Sequence, residues 1–228
     1  FPKVPEALHV VAGMYADLQR VTEAERIWQD CIRLSPTDVG PYVGLATAAM
    51  EQGKDEEAVA TLQRGLAAGC VSPELDHQLA AALTKLGRLD EAAKVLQRGL
   101  VAFSACSENW LQLGQIQIQL SRFAEAEASL RKTIDSGTGD GSVYFSLATA
   151  CARQDKQKEA AKYREIFSQW KAAQVAAGDT PFQVRYDAQL RKIALASICQ
   201  AGTVYDRQGN PAEAERLLLR ALALVPDN

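Results

Sequence analysis

The chain has 228 residues, 47% of them hydrophobic and 23% charged, and its formal net charge at pH 7 is -3. Without a run of lysines and arginines it offers no phosphate-tracking surface, which argues against nucleic acid as a partner. No apolar stretch approaches the ~20 residues that a membrane-spanning helix needs, and the apolar side chains suffice for a continuous core.

A repeat organises the sequence. Glu-Ala dipeptides stand at Glu23-Ala24, Glu57-Ala58, Glu91-Ala92, Glu125-Ala126, Glu159-Ala160 and Glu213-Ala214; the first five alanines are 34 residues apart and the sixth follows after 54. At 12 residues before each alanine stands another small residue: Ala12, Ala46, Ala80, Gly114, Ala148 and Gly202. Two small positions locked together in this way require two helices to approach closely at one point of every unit. Starts at Pro5, Val39, Pro73, Ser107, Gly141 and Leu195 define units 5–38, 39–72, 73–106, 107–140, 141–174 and 195–228, with 175–194 left over.

In chain order, the first unit places Val11 at position 7 and Trp28 at position 24, and the second places Leu45 and Leu62 there, with Gly53 as a breaker at position 15. The third repeats this with Leu79, Gly87 and Leu96. Positions 4, 7, 8 and 11 share one helical face, as do 20, 24, 27 and 28, so each unit is a helical hairpin reversing near position 15. The fourth unit contains "GQIQIQL", whose alternation imitates a half-buried strand. Leu113 and Ile116 nonetheless fall in register with helix-face residues of the other units, and the segment is predicted to be helical. In the fifth unit Leu147 keeps position 7, but Arg164 and Ser168 break the second-helix face. The stripe there moves to Tyr163, Ile166, Phe167 and Trp170, which predicts a rotated helix.

The inserted "VAAGDTPFQVRYDAQLRKIA" carries a turn at Gly178-Asp179-Thr180-Pro181, then Phe182, Tyr186, Leu190 and Ile193 at helical spacing. It predicts a protruding helical hairpin that either closes on itself or docks another domain or chain. The sixth unit ends on Leu217, Leu218, Leu219, Leu222 and Leu224 with no polar capping helix, although terminal repeats normally need a polar outer face. With Phe1 in place of an initiator Met, the chain reads as a piece of a longer protein.

This layout resembles the tetratricopeptide repeat. The fourth unit's "NWLQLGQ" carries the family's W-x2-L-G start at Trp110, Leu113 and Gly114, followed by Ala126 and Leu130, and the sixth ends on the family's terminal proline at Pro226. Gln117, in place of the usual large residue at position 11, departs from the pattern. The resemblance implies an all-α fold, a right-handed α-solenoid of six hairpins with a helical extension between the fifth and sixth. It further implies that the first helices line a concave groove with positions 2, 5, 9, 12 and 13, binding a protein or peptide.

Candidate groove residues are then His9, Val43, His77, Leu111 and Phe145 at position 5, Thr47, Gln115 and Thr149 at position 9, and Met50 at position 12. The lining mixes apolar contact with side chains able to bond a peptide backbone. One subclass of the family grips a C-terminal carboxylate with Lys at position 5 and Asn at position 9; no unit here has that pair. The expectation is a non-enzymatic interaction scaffold. The alternatives are an assembly module self-associating through the C-terminal helix and the inserted hairpin, or an auxiliary domain of a larger protein.

Other residues invite sharper chemistry and are read structurally. His9 and His77 are two units apart with no ligand or general-base partner at useful spacing, so no metal, cofactor or catalytic residue is expected. The acids of "KDEEA", "RLDEA" and "AEAEA" start second helices, where they complement the helix dipole. "SGTGDGS", Ser136 to Ser142, lacks the Lys-Ser/Thr ending and preceding strand of a phosphate loop and reads as a link between units. Five scattered cysteines form no disulfide framework. Only Cys70 with Cys106 suggests a bridge, and the usage points to a reducing compartment such as the cytoplasm.

Overall fold

The computed structural model describes residues 5–136 and 141–176. Its helices are α1 (Pro5–Asp17), α2 (Val21–Leu34), α3 (Val39–Glu51), α4 (Asp55–Ala67), α5 (Pro73–Lys85), α6 (Leu89–Ala102), α7 (Ser107–Gln119), α8 (Phe123–Asp135), α9 (Gly141–Ala152) and α10 (Gln157–Ala176). No strand occurs among the described residues, and "GQIQIQL" lies in α7 and its C-terminal cap. The chain divides into two compact units, Phe1–Ala48 with Thr180–Asn228, and Ala49–Asp179. The inserted segment beyond Ala176, the sixth repeat and the centre of "SGTGDGS" lie outside the described residues.

In the second unit the α-solenoid is explicit. Hairpins α5/α6, α7/α8 and α9/α10 close on themselves, and each of α4, α6 and α8 packs against the first helix that follows it. First helices also touch in succession, α5 on α7 and α7 on α9. The small positions explain the closeness: Ala80 and Ala92 are fully buried, as are Ala126 and Ala160. At Gly114 an added Cβ would stand 2.6 Å from Leu130 Cγ and 3.3 Å from the Ala126 carbonyl oxygen, so any side chain there forces α7 and α8 apart. Around these points the aliphatic positions interlock. Leu62, Leu79, Leu96, Leu113, Leu130 and Leu147 are all buried, each worth about 1.5–3 kcal/mol of apolar transfer. In the first unit, Ala12, Ala24, Trp28 and Ala48 form the corresponding core, with Tyr15, Ile27 and Leu45 packed on it.

Every described hairpin reverses by one device. Position 15 takes the left-handed conformation in all five: Gln19 (φ 61°), Gly53 (φ 73°), Gly87 (φ 72°), Ser121 (φ 59°) and Asp155 (φ 60°). The following amide then bonds back across the turn, as in Arg20 to Tyr15 (2.8 Å), Lys54 to Ala49 (2.9 Å), Arg88 to Leu83 (2.9 Å), Arg122 to Gln117 (2.8 Å) and Lys156 to Cys151 (3.0 Å). This is the Schellman closure that satisfies the last carbonyls of a helix. Gly53 and Gly87 meet its requirement without a Cβ penalty, whereas Gln19, Ser121 and Asp155 carry one.

The residue after the reversal is basic in each described unit; Arg20 and Arg88 pair within their own helix, with Glu23 and Glu91, whereas Arg122 and Lys156 tie units together. Arg122 donates to Asp90 of the preceding hairpin (2.7 Å), and Lys156 to Glu127 (2.6 Å). Glu127 is buried and also accepts from Arg131 (2.7 Å) and Gln154 (3.0 Å). Burial pushes its carboxyl upward, but the hydrogen bonds from Lys156, Arg131 and Gln154 together outweigh that and hold it below the ordinary glutamate value. Asp76 has the opposite balance. Burial raises its carboxyl, and the 3.2 Å contact with Arg98 only partly offsets this.

In the fifth unit position 24 is Arg164, which is exposed. The face of α10 toward α9 is supplied instead by Ala160, Tyr163 and Phe167, with Tyr163 stacked on Tyr144 at 6.4 Å and Phe167 against Phe145 at 5.5 Å. The helix is thus rotated relative to α6 and α8. No disulfide joins Cys70 to Cys106, so the bridge suggested for them is not formed.

Two stability predictions follow from these contacts. Ser121→Gly removes a left-handed Cβ penalty and should stabilise the chain by about 0.5–1 kcal/mol, whereas Gly114→Val should destabilise it by about 1–3 kcal/mol through overpacking; urea unfolding of the two variants checks both signs. Glu127→Gln should lose about 1–3 kcal/mol at pH 7, the scale of hydrogen bonds to a charged group. Because the folded value is depressed, Glu127's contribution is present above its unfolded pKa near ~4.3 and lost as pH falls through the folded value. The difference between wild type and variant should therefore close in acid, as unfolding curves at neutral and acidic pH would show.

Candidate functional site

In the second unit the first helices α5, α7 and α9 form one layer, and their register decides which predicted groove residues share it. His77 comes from α5, Leu111 and Gln115 from α7, and Phe145 and Thr149 from α9. Met50 lies at the end of α3, where its carbonyl accepts from Lys85 Nζ at 3.1 Å. The layer has charged rims of opposite sign. Glu74 and Glu108, at the helix starts, are exposed, as are Lys85 at the end of α5 and Arg153 just after α9, each placed where the helix dipole favours its charge.

These residues are not equally free. The ring of His77 sits with Nδ1 3.3 Å from Asn109 Oδ1, while Asn109 Nδ2 donates to the Pro73 carbonyl (3.1 Å) and Gln112 Nε2 to the His77 carbonyl (3.2 Å). His77 is therefore part of the joint between α5 and α7. Leu111 is half-buried against Leu130, Val143 and Leu147, so much of its apolar surface is committed to the core. Gln115 is exposed, and Thr149 spends its hydroxyl on the Phe145 carbonyl at 3.0 Å. Phe145 is 59% exposed, the largest apolar surface offered by the predicted set in this unit.

His9, Val43 and Thr47 belong to the first unit, all half-buried. His9 accepts from Trp28 Nε1 at 3.1 Å. Burial lowers its pKa, with Asp38 acting weakly against this, so the ring is held neutral as an acceptor between packed helices.

Two features were missed by reading position numbers alone. Phe145 continues into an aromatic row, with Phe167 at 5.5 Å and Trp170 at 6.1 Å from Phe167, and Trp170 lies over Gly141. The stripe Tyr163, Ile166, Phe167 and Trp170 was legible, but its partial exposure was not. The second feature is a cleft of about 370 Å³ lined by α6, α7 and α8, including Leu100, Val101, Trp110, Gln117 and Glu125. Its sequence signals were Gln117, at a position that usually holds a large residue, and Val101, an apolar residue outside the helix stripe. A carboxylate-thiol trio, Glu127, Cys151 and Glu159, has ligand atoms within 4.8 Å of one another. Lys156 and Arg131 already hold Glu127, and burial together with both carboxylates pushes the Cys151 thiol upward, so this is an ion-paired joint rather than a metal-ready donor set.

Comparison with known proteins agrees with this architecture. Tetratricopeptide repeat models match residues 73–116, 111–167 and 194–224. No curated protein matches the sequence. Among solved structures, MamA from Desulfovibrio magneticus RS-1 is similar over 74% of this chain and 97% of its own, at 18% identity and a TM-score of 0.64. YrrB, described as a TPR protein with an unusual peptide-binding site, is similar over 71% of this chain and 83% of its own, at 17% identity and a TM-score of 0.60. PilF of Pseudomonas aeruginosa covers 98% of this chain and 93% of its own, at 15% identity and a TM-score of 0.64. With its 34-residue hairpins, small-residue contacts and matched repeat models, the chain belongs to the tetratricopeptide repeat family.

Proposed function

We propose that this protein is a non-enzymatic interaction scaffold that binds a peptide or a partner domain on its first-helix layer. The observation that carries the reading is Phe145, a mostly exposed aromatic side chain continued by Phe167 and Trp170 and set one helix away from the exposed amide of Gln115. Exposed aromatic rows with adjacent amides suit a ligand that buries an apolar side chain and bonds through its backbone. His77 and the rims Glu74, Glu108, Lys85 and Arg153 would set its orientation. His9, Val43 and Thr47 of the first unit hold the corresponding positions of their own repeats, as does Met50 in the second. The YrrB likeness supports a peptide ligand by analogy of fold.

The non-enzymatic reading draws support from the partners of the two histidines, Trp28 and Asn109, neither of which is a nucleophile or an acid. Self-association is the second reading. Trp170 and Val101 are exposed apolar surface that a second copy of the chain would also cover.

Phe145→Glu with Gln115→Ala tests the first reading while sparing Leu111, whose packing would confound it. The double variant should keep its helical circular dichroism and weaken capture of native-source partners at least about tenfold, the effect of losing a central aromatic anchor. Undiminished capture would move the site elsewhere. Light scattering after size exclusion separates the readings, since self-association predicts a dimer at micromolar concentration that Phe145→Glu or Val101→Glu dissociates.

A further inference from the structure

We propose a second binding site, the cleft between α6, α7 and α8, whose ligand is a peptide segment carrying an arginine or lysine beside an apolar residue. The cleft is separate from the first-helix layer. On α7, Trp110, Leu113 and Gln117 face it, and these lie roughly 100–160° around the helix from Leu111 and Gln115 by the 3.6-residue turn. Its volume, about 370 Å³, accommodates a few side chains rather than a folded domain.

The lining specifies the ligand. Leu100 and Leu113 are buried beneath it, and Val101, 87% exposed, stands at its edge. Trp110 gives its single polar atom to the Ser104 carbonyl at 2.8 Å, so what it offers the cleft is ring surface. At the other side stands Glu125. Neighbouring acids in the same two hairpins are ion-paired: Glu91 with Arg88, Asp90 with Arg122, and Glu127 with Lys156 and Arg131. Among the described residues Glu125 has no such partner; it accepts a long 3.4 Å bond from Gln117 Nε2. Gln117 is itself buried and oriented by Ser129, whose hydroxyl donates to Gln117 Oε1 at 2.7 Å. A buried hydroxyl-amide pair thus reaches toward an exposed carboxylate with free acceptor capacity at the margin of an apolar, aromatic-walled cleft.

A wholly apolar ligand would desolvate that carboxylate without compensation, and an anionic one would repel it. The side chain that satisfies every surface at once has an aliphatic stem for Leu100, Val101 and Leu113, and a cationic head for Glu125 and the Trp110 ring. This also gives the family-atypical Gln117 a use. Where a large apolar residue would fill position 11, the amide reaches the Glu125 carboxylate at 3.4 Å.

The test is selection of a displayed random dodecapeptide library on the intact chain, with binding of the enriched peptides measured by fluorescence anisotropy. Enriched peptides should carry Arg or Lys next to a large apolar residue. Their affinity should fall about tenfold with Glu125→Gln, and similarly with Ala128→Arg, which fills the cleft and supplies a competing cation. Replacing the peptide's cation with norleucine should weaken binding to wild type but not to Glu125→Gln. Phe145→Glu should leave these peptides bound, which distinguishes this site from the first-helix reading, whose peptides it would release. Enrichment of sequences without cations among the peptides that Phe145→Glu leaves bound, or binding of those peptides indifferent to both Glu125→Gln and Ala128→Arg in variants with wild-type thermal unfolding, would overturn the proposal.

Discussion

Two helices of a hairpin can come no closer than the side chains at their crossing point allow, and in this protein that point is kept nearly empty. Gly114 against Ala126 and Leu130 is the clearest case, since the space of a single methyl group is already occupied by the leucine. The same two positions are small in every repeat and buried wherever described, from Ala12 and Ala24 to Ala148 and Ala160. Because interiors pack at crystal-like density, this small contact fixes the depth at which the surrounding leucines interlock. The array then follows, because a hairpin exposes an apolar flank that only its neighbour can cover.

That constraint leaves two tasks to other residues. The chain must reverse within a few residues, which the left-handed position 15 achieves whether or not it is glycine. Successive hairpins must also hold register, and here polar groups act at the joints. Lys156 and Gln154 meet buried Glu127 across one joint, and Asn109 and Gln112 meet the Pro73 and His77 carbonyls across another. Exposed pairs such as Arg122 with Asp90 add little energy each, but the buried carboxylate is satisfied only when both hairpins are in place. Register is thereby specified as well as stabilised.

What remains for function is the surface that neither task consumes. The rotation of α10, where Arg164 takes a position that holds a large apolar residue in other units, brings Phe167 against Phe145, and Trp170 beside Phe167 extends the aromatic row. The departure at Gln117 similarly places a polar relay under the cleft. Both proposed binding surfaces sit where the repeat pattern is broken, consistent with a scaffold whose regular positions hold it together and whose irregular ones distinguish it from other arrays.

The sequence by itself determined the hairpins, their 34-residue period and their reversal points, because helix packing at fixed small positions is a local constraint that each repeat states again. Even "GQIQIQL" was settled this way, its alternating pattern overruled by register with its copies. The proposed site was legible only as a series of positions. Which of those residues are free depended on neighbours distant in the chain: Leu111 is half-spent on Leu130 and Val143, His9 is bonded to Trp28, and His77 to Asn109. Exposure is a property of what packs alongside. The aromatic row at Phe145, the Glu125 cleft and the burial of Glu127 therefore became visible only when helices from successive repeats were brought side by side.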